Sequence, residues 1–187
     1  MPSIIRQRLK PRRIPFRHRV ARSAVAVIYR YHNEQPELLL IKRATREGDP
    51  WSGHMAFPGG KIQAEDKSAS AAAIRETMEE IGIDLTQCAR FDSRLSDLLT
   101  RRHNQLKPMV VSPFMFELTD DITFETNYEV AEVVWVPLAF FSDEQNKAPY
   151  QWKVGPMALN FDSYNYQGRT IWGLTYMMIQ EILRKQA

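Results

Sequence analysis

The sequence predicts one α/β domain in which helices cover both faces of a mixed β-sheet. Two apolar segments near the start have the composition of buried strands, and the polar segment between them is typical of a hairpin loop. An alanine-rich helix interrupts the strands, and an amphipathic helix closes the chain. In chain order, the expected elements are strands at 23–29 and 38–41, a helix that starts after Ser68 or Ser70 and ends before Gly82, strands at 108–116 and 130–136, and a helix at 171–183. Strands, a helix, further strands and a last helix together give an α/β/α sandwich.

The length and composition suit one domain. The chain has 187 residues, 44% of them hydrophobic, which is enough for one core and too little for two. Cys88 is the single cysteine, so an internal disulfide is excluded. No apolar run approaches the ~18–20 residues of a membrane span, and no secretory segment follows the first residues. We expect a soluble, cytoplasmic protein that does not bind membranes.

Residues 1–20 form a basic N-terminal arm. They hold seven basic side chains and no acidic ones, although the whole chain has a net charge of only +3. The body, residues 21–187, is therefore mildly acidic and is expected to form the single domain. We expect the arm to pack on this body or on the partner subunit of a homodimer. Binding of nucleic acid by the arm is the alternative.

The alanine-rich helix has clear limits. Ser68 or Ser70 is expected to cap its start, and Gly82 is expected to follow its end, because glycine readily adopts the left-handed conformation found there. Apolar residues at spacings of three and four predict the face that packs on the sheet. These residues are Ala71, Ile74, Met78 and Ile81. The acidic residues of the helix are then expected on the opposite face.

Three glutamates crowd the last turns of this helix. Glu76 lies three and four positions before Glu79 and Glu80, so the carboxylates share one face. They also lie near the negative end of the helix dipole, where an anion costs roughly 0.3–1 kcal/mol. A divalent cation would offset this repulsion. The cluster therefore predicts a site for Mg²⁺ or Mn²⁺.

The acidic helix, together with the glycine turn that precedes it, resembles the Nudix box. The matching positions are Gly60, Arg75, Glu76, Glu79, Glu80, Gly82 and Ile83, with Glu65 or Asp66 at the acidic position between Gly60 and Arg75. The resemblance extends over residues 22–184 and implies a Nudix-type α/β/α sandwich. It also implies hydrolysis of a diphosphate that links a nucleoside to another group.

The resemblance implies roles for individual residues. The implied cation ligands are the carboxylates of Glu76, Glu79 and Glu80 and the carbonyl oxygen of Gly60. Arg75 is expected to fix one glutamate by a pair of hydrogen bonds. Glu129 is the expected catalytic base, from a segment that also contains Glu132.

The chain is most similar to the coenzyme A diphosphatase branch of the family, which implies coenzyme A or an acyl-coenzyme A as substrate. ADP-ribose and dinucleotides such as NADH are the alternative substrates. A nucleotide-binding module without catalysis and an RNA-end processing enzyme are alternatives of other classes, but no metal glutamate is missing here. Candidate contacts are Lys42, Arg43 and Arg46 for phosphate, Gly59 and Phe57 at the glycine turn, Trp51, Phe57 or Tyr166 for stacking, and the basic cluster at 101–103. His54 is expected to be structural, and Trp172, Met177 and Met178 are expected in the core.

Overall fold

The computed structural model describes residues 4, 11–47, 51–101, 107–154 and 157–186, with residues 153, 154 and 157 described by their backbone alone. The strands of the large sheet are β1 (Ala21–His32), β2 (Gln35–Arg43), β3 (Met55–Ala56), β4 (Gly59–Lys61), β5 (Ala89–Arg94), β6 (Leu98–Arg101), β7 (Pro108–Leu118) and β8 (Val130–Pro137). A smaller sheet contains β9 (Lys147–Val154), β10 (Met157–Tyr166) and β11 (Arg169–Trp172). The helices are α1 (Ala69–Ile81), α2 (Leu85–Cys88), α3 (Leu138–Ser142) and α4 (Gly173–Gln186).

Strand β1 lies at the centre of the large sheet. It pairs antiparallel with β2 and β4 on one side and parallel with β7 on the other. The strand order is β3-β2-β1-β7-β5, with β6 pairing with β7 and β8 pairing with β2. The mixture of parallel and antiparallel pairs confirms the predicted mixed sheet.

The predicted hairpin joins β1 to β2. Its turn is formed by Asn33 and Glu34, which have positive φ angles of 47° and 65°. Two consecutive residues with positive φ match the twist of an antiparallel hairpin. The polar segment at residues 32–36 was expected to form the loop. The observed loop is shorter, because both strands continue further toward the turn than their apolar centres indicate.

Small side chains allow α1 to lie close to the sheet. Ala24 and Ala26 of β1 are fully buried against the same cluster as Ala72 and Ala73 of α1. The alternate residues of β1, including Val27, face a second cluster beneath α3, α4 and the smaller sheet. The large sheet therefore has a helix on one face and helices plus a second sheet on the other.

The position of α1 is confirmed, and its predicted buried face is confirmed at Ile74 and Ile81 but wrong at Met78. Ser68 caps the helix, because its side chain accepts a hydrogen bond from the Ala71 backbone N–H, and Gly82 follows it with a φ of 73°. Met78 is 52% exposed, while Thr77 and Glu80 are buried. The helix is thus rotated relative to the predicted orientation, and one glutamate points toward the sheet.

The closing helix begins later than predicted. Ile171 and Trp172 belong to β11, where they pair with Tyr164 and Ser163 of β10. Helix α4 starts at Gly173 and extends beyond the predicted end. Met178 is buried as predicted, but Met177 is 49% exposed, so its assignment to the core is wrong.

The described part of the N-terminal segment is held against the loop between β5 and β6. The backbone N–H of Arg12 donates to Ser96 Oγ at 3.0 Å, and that of Ile14 donates to Asp97 Oδ2 at 3.1 Å. Arg17 also forms an ion pair with Asp97, at 3.4 Å. Among the described residues, no helix combines the length and the apolar composition that crossing a membrane would require.

Candidate active site

Arg75 connects the segment between β4 and α1 to the glutamates of α1. Its Nε and Nη2 atoms donate to the two carboxylate oxygens of Asp66, at 3.0 and 3.1 Å. Its Nη1 atom contacts Glu76 at 2.9 Å and Glu79 at 3.0 Å. The bidentate partner of Arg75 is therefore Asp66, whereas the sequence led us to expect a glutamate. The hydrogen bond from Arg75 lowers the pKa of Asp66, and Glu65 is exposed.

Glu76 lies directly against the glycine turn. A Cβ atom added to Gly60 would come within 2.4 Å of the Glu76 Oε2 atom, so a larger residue at this position would displace the Glu76 carboxylate. Burial raises the pKa of Glu76, while Arg75 opposes the rise and the charges of Glu79 and Glu129 add to it. The backbone of Gly60 and the carboxylate of Glu76 are thus brought together, as the sequence predicts.

Glu80 is buried between α1 and the sheet. Its carboxylate accepts a hydrogen bond from the Gly59 backbone N–H at 2.9 Å. Burial raises the pKa of Glu80 to about 7, and the negative charges of Glu76 and Glu129 contribute, while the Gly59 hydrogen bond and the positive charge of Arg43 oppose the rise. A buried carboxylate with this environment is stabilised by a positive charge placed beside it.

Glu129 reaches the acidic helix because the preceding loop is fastened to the end of α1. The backbone N–H of Glu125 donates to the Ile81 carbonyl at 3.1 Å, and that of Asn127 donates to the Glu80 carbonyl at 3.0 Å. These bonds use carbonyl groups that the helix itself leaves unpaired. The charge of Glu129 raises the pKa of both Glu76 and Glu80, which places it in the same cluster.

Glu132, from the same segment, is held elsewhere. It forms an ion pair with Arg169 of β11, in which Arg169 Nε donates to Glu132 Oε2 at 3.0 Å. The charge of Lys42 acts on Glu132 as well and lowers its pKa together with Arg169. Lys42 therefore lies beside Glu132 and does not line the cleft described below, and its contact with phosphate stays a prediction.

The carboxylates are close together but are not arranged as a ready cation site. Across residues 11–47, 51–101, 107–154 and 157–186, no group of three or more His, Cys, Asp or Glu side chains could hold a metal ion as placed. Arg75 holds Glu76 and Glu79, and Gly59 holds Glu80. Glu79 is the most open of the three, with 52% of its side chain exposed. The metal assignment stays a prediction.

A cleft of about 700 Å³ opens beside Glu80. Its polar end includes Gly59, Gly60 and Arg43, and its walls come from β1, β6, β7, the smaller sheet and the start of α4. Phe57 and Arg101, two of the residues predicted to contact substrate, also line it. Residues 102 and 103 of the predicted basic cluster lie outside the described residues.

Arg46 lies beside Glu129 and does not line the cleft. Its Nη2 atom contacts Glu129 Oε1 at 3.2 Å, and its guanidinium carbon lies 4.8 Å from the centre of the Tyr128 ring. Arg46 therefore supports Glu129, and the sequence expectation of a phosphate contact is not tested by this arrangement.

Aromatic side chains dominate the end of the cleft formed by the smaller sheet. Trp51, Trp152, Phe161 and Trp172 all line it. Tyr166, in contrast, packs on Phe140 with ring centres 4.9 Å apart and does not line the cleft; its stacking role stays a prediction. Trp152 and Phe161 were not predicted, although the alternation of aromatic and polar residues around them is a strand signal.

His54 fixes this aromatic group, as expected of a structural histidine. Trp172 Nε1 lies 3.2 Å from His54 Nδ1, and Tyr150 Oη lies 3.3 Å from His54 Nε2. Because an indole N–H can only donate, Nδ1 accepts and Nε2 carries the hydrogen. The histidine thereby ties the smaller sheet to the segment before β3.

Comparisons with known proteins identify the family. The model of the NUDIX domain matches residues 20–156. The uncharacterized Nudix hydrolase NudL of Yersinia enterocolitica is 30% identical over 161 residues, covering 81% of this chain and 74% of that protein. The mitochondrial coenzyme A diphosphatase NUDT8 of Mus musculus is 26% identical over 170 residues, covering 90% of this chain and 79% of that protein.

Two further comparisons are more limited. An uncharacterized protein of Schizosaccharomyces pombe is 41% identical over 108 residues, but the match covers 56% of this chain and 32% of that protein. The crystal structure of a C. elegans Ap4A hydrolase binary complex superposes with a TM-score of 0.55 at 23% identity, covering 64% of this chain and 82% of that one. The structural likeness shows a common fold.

The chain is thus an α/β protein in which a carboxylate-bearing helix packs on a glycine turn at one face of a mixed sheet. The chain belongs to the Nudix family, because the family model spans most of its length. It is a Nudix hydrolase, an enzyme that acts on diphosphate bonds.

Proposed function

We propose that this Nudix hydrolase cleaves the diphosphate of coenzyme A or an acyl-coenzyme A, with Mg²⁺ or Mn²⁺. The observation that carries the reaction is the grouping of Glu76 and Glu129 with Glu80, the carboxylate that lines the polar end of the cleft beside Gly59 and Gly60. The choice of coenzyme A is supported by the similarity to mouse NUDT8 over 90% of this chain.

The residues present fit a divalent cation. Glu80 is a buried carboxylate that lacks a cationic hydrogen-bond partner among the described residues, and the Glu76 carboxylate lies against the backbone of Gly60. The proposed ligands are the carboxylates of Glu76, Glu79 and Glu80 and the Gly60 carbonyl oxygen. When bound, the cation would polarise the diphosphate and make the attacking water more acidic.

The remaining roles belong to the chain's own groups. Glu129 accepts a proton from the attacking water, whose oxygen bonds to one phosphorus while the bridging oxygen leaves with the other phosphate. Arg46 orients Glu129 through their ion pair. Arg75, held by Asp66, positions Glu76 and Glu79. Arg43 contributes positive charge beside the diphosphate.

A substrate panel tests the proposal. The purified protein is incubated with coenzyme A, octanoyl-coenzyme A, ADP-ribose and NADH, each with Mg²⁺, Mn²⁺ or EDTA. We expect adenosine 3′,5′-bisphosphate from the coenzyme A compounds only when metal is present. Cleavage of ADP-ribose or NADH at more than ten times the kcat/KM of coenzyme A would overturn the substrate, and no cleavage of any compound would overturn the reaction.

Substitution of the proposed ligands links activity to the helix. Glu79→Gln and Glu80→Gln each keep the side-chain shape and remove the charge, so turnover is expected to fall by orders of magnitude. Glu65→Gln is the matched control, because Glu65 is exposed and precedes the helix. Parental activity in Glu79→Gln and Glu80→Gln would contradict the ligand assignment.

A further inference from the structure

The smaller sheet presents one aromatic face to the cleft. In antiparallel register, Trp152 lies opposite Leu159, Tyr150 opposite Phe161, and Trp172 opposite Ser163. Because side chains alternate along a strand, these aromatic residues share one face of the sheet. The opposite face contains Tyr164 and Ile171, which are completely buried in the core. The sheet therefore has one face for folding and one face toward the cleft.

The aromatic residues of this face differ in their burial. Trp172 is buried and is held by its hydrogen bond to His54. Trp152 is half-buried, and Phe161 is 36% exposed. Trp51, from the segment before β3, is also half-buried and lies 5.5 Å from Trp152 between ring centres, at an angle of 33°. Trp172 thus anchors the sheet, whereas the other three rings retain surface at the cleft.

Aromatic surface left at a cleft is typical of a ligand site. Folding normally removes large apolar side chains from water, and each Å² that stays accessible forgoes about 25 cal/mol. Pockets lined by aromatic residues with a few polar groups at one end are the usual form of small-molecule sites. Here the same cleft contains Glu80 and Gly60 at one end and Trp152 and Phe161 at the other. The carboxylate end and the aromatic end therefore belong to one continuous cleft.

We propose that Trp51, Trp152 and Phe161 form the wall against which the nucleobase of the substrate stacks. The proposal rests on the proposed function, since the diphosphate of the same molecule would lie at the carboxylate end. A planar base suits these rings because stacking needs a flat π-surface. The aliphatic side chains of the cleft, such as Met109 and Val111, come instead from the large sheet.

The tryptophans provide a direct measurement. Three of the four tryptophans of the chain line the cleft, and the fourth, Trp135, lies on β8 beneath the guanidinium of Arg30, 4.1 Å from its carbon. AMP is titrated into the full chain in EDTA, so that no hydrolysis takes place. We expect a saturable change in tryptophan fluorescence. Ribose 5-phosphate, which lacks the base, is the matched ligand and should bind at least tenfold more weakly.

Two pairs of variants locate the effect. Phe161→Leu keeps an apolar side chain but removes the ring, and it should weaken AMP binding about tenfold. Phe91→Leu is the control, because it makes the same change at a residue of β5 that is 54% exposed and does not line the cleft. Trp152→Phe should reduce the fluorescence change, whereas Trp135→Phe should leave it unaltered. Circular dichroism and melting temperature verify that each variant is folded.

The outcomes separate this inference from the proposed function. Equal binding of AMP and ribose 5-phosphate overturns the inference. A loss of less than twofold in Phe161→Leu overturns it too, and so does a fluorescence change produced by octanoyl phosphopantetheine but not by AMP. Selective AMP binding without cleavage of any diphosphate would support the wall and contradict the proposed function. Cleavage of coenzyme A with the same KM in the parent and in Phe161→Leu would support the proposed function and contradict the aromatic wall.

Discussion

Two glutamates three positions apart in the sequence have different electrostatic surroundings. Glu129 pairs with Arg46 and acts on Glu76 and Glu80, whereas Glu132 pairs with Arg169. If Glu129 is the base, Glu129→Gln should lower kcat for coenzyme A about 10²–10⁴-fold, because an amide cannot take the proton. Glu132→Gln should change kcat less than twofold. Equal losses in the two variants would mean that neither acts as the base.

Burial of Glu80 also has a consequence for stability. Without a cation, a buried carboxylate with a single backbone hydrogen bond is costly, because its charge has been removed from water. Glu80→Gln keeps an acceptor for the Gly59 N–H and removes the charge, so its melting temperature in EDTA should exceed that of the parent. Addition of Mg²⁺ should raise the melting temperature of the parent more than that of the variant, since a ligand stabilises the state that binds it.

Calorimetry measures both effects, with Glu65→Gln as the exposed control. A variant that melts below the parent in EDTA would contradict the view that the Glu80 charge destabilises the fold.

At the level of elements, helix α1 shows that a sequence pattern predicts the bounds of a helix better than its rotation about its axis. Its existence, its cap at Ser68 and its end before Gly82 are all predictable, because they depend on local preferences. Its rotation is not predictable in the same way. Alanine is compatible with either face, and the glutamate at position 80 is buried only because a backbone N–H of the glycine turn faces it.

The smaller sheet is the element that sequence analysis missed. Aromatic residues alternate with other residues at Tyr150 and Trp152, and Phe161 follows in the next strand. The turn from β10 to β11 contains Gln167 and Gly168, with φ angles of 52° and 81°. These are hairpin signals, but they become decisive only when the partner strand is known. The candidate site was predictable at the Nudix box and much less so at the cleft wall.

The end of α1 controls the position of the Glu129 loop, which gives a prediction for Gly82. A Cβ atom there would lie 2.9 Å from Glu125 Cβ, and the φ of 73° is itself unfavourable for alanine. Gly82→Ala should destabilise the protein by more than the ~1 kcal/mol expected from the backbone alone, and it should lower kcat by moving the loop.

Gly168→Ala is the matched control, with a φ of 81° and no atom within 4 Å of the added Cβ. It should cost about 1 kcal/mol by denaturant unfolding and leave kcat unaltered. Identical behaviour of the two variants would show that contact with Glu125 does not matter.

On the scale of the whole molecule, one buried carboxylate connects segments from distant parts of the sequence. Asp97 accepts hydrogen bonds from the Ile14 backbone N–H at 3.1 Å and from Ser112 Oγ at 2.6 Å, and it pairs with Arg94. The residue before it, Ser96, donates its backbone N–H to the carboxylate of Glu181 in α4. The N-terminal segment, the large sheet and the last helix therefore meet at this loop.

The pKa of Asp97 makes this junction sensitive to acid. Burial alone would raise that pKa, but hydrogen bonds from Ser112 and Ile14 and the charge of Arg94 lower it below the ordinary value. A carboxyl with a depressed folded-state pKa stabilises the protein above its unfolded pKa of about 3.9, and this stabilisation is lost as the pH falls through the folded-state pKa. Asp97→Asn should therefore lower the free energy of unfolding at pH 7 by on the order of 3 kcal/mol, because Arg94 is left without its buried partner charge.

The difference between parent and variant should begin to shrink below about pH 4, where the unfolded parent takes up a proton at Asp97, and it should continue to shrink until the pH has passed the lower folded-state pKa. Urea unfolding at pH 7, 5 and 3 measures it, with Asp121→Asn as a control at an exposed aspartate. A difference that stays constant over this range would mean that Asp97 contributes through its shape and hydrogen bonds alone. In that case the junction would hold the N-terminal segment equally well in its neutral form, and acid would have to destabilise the protein at other carboxylates.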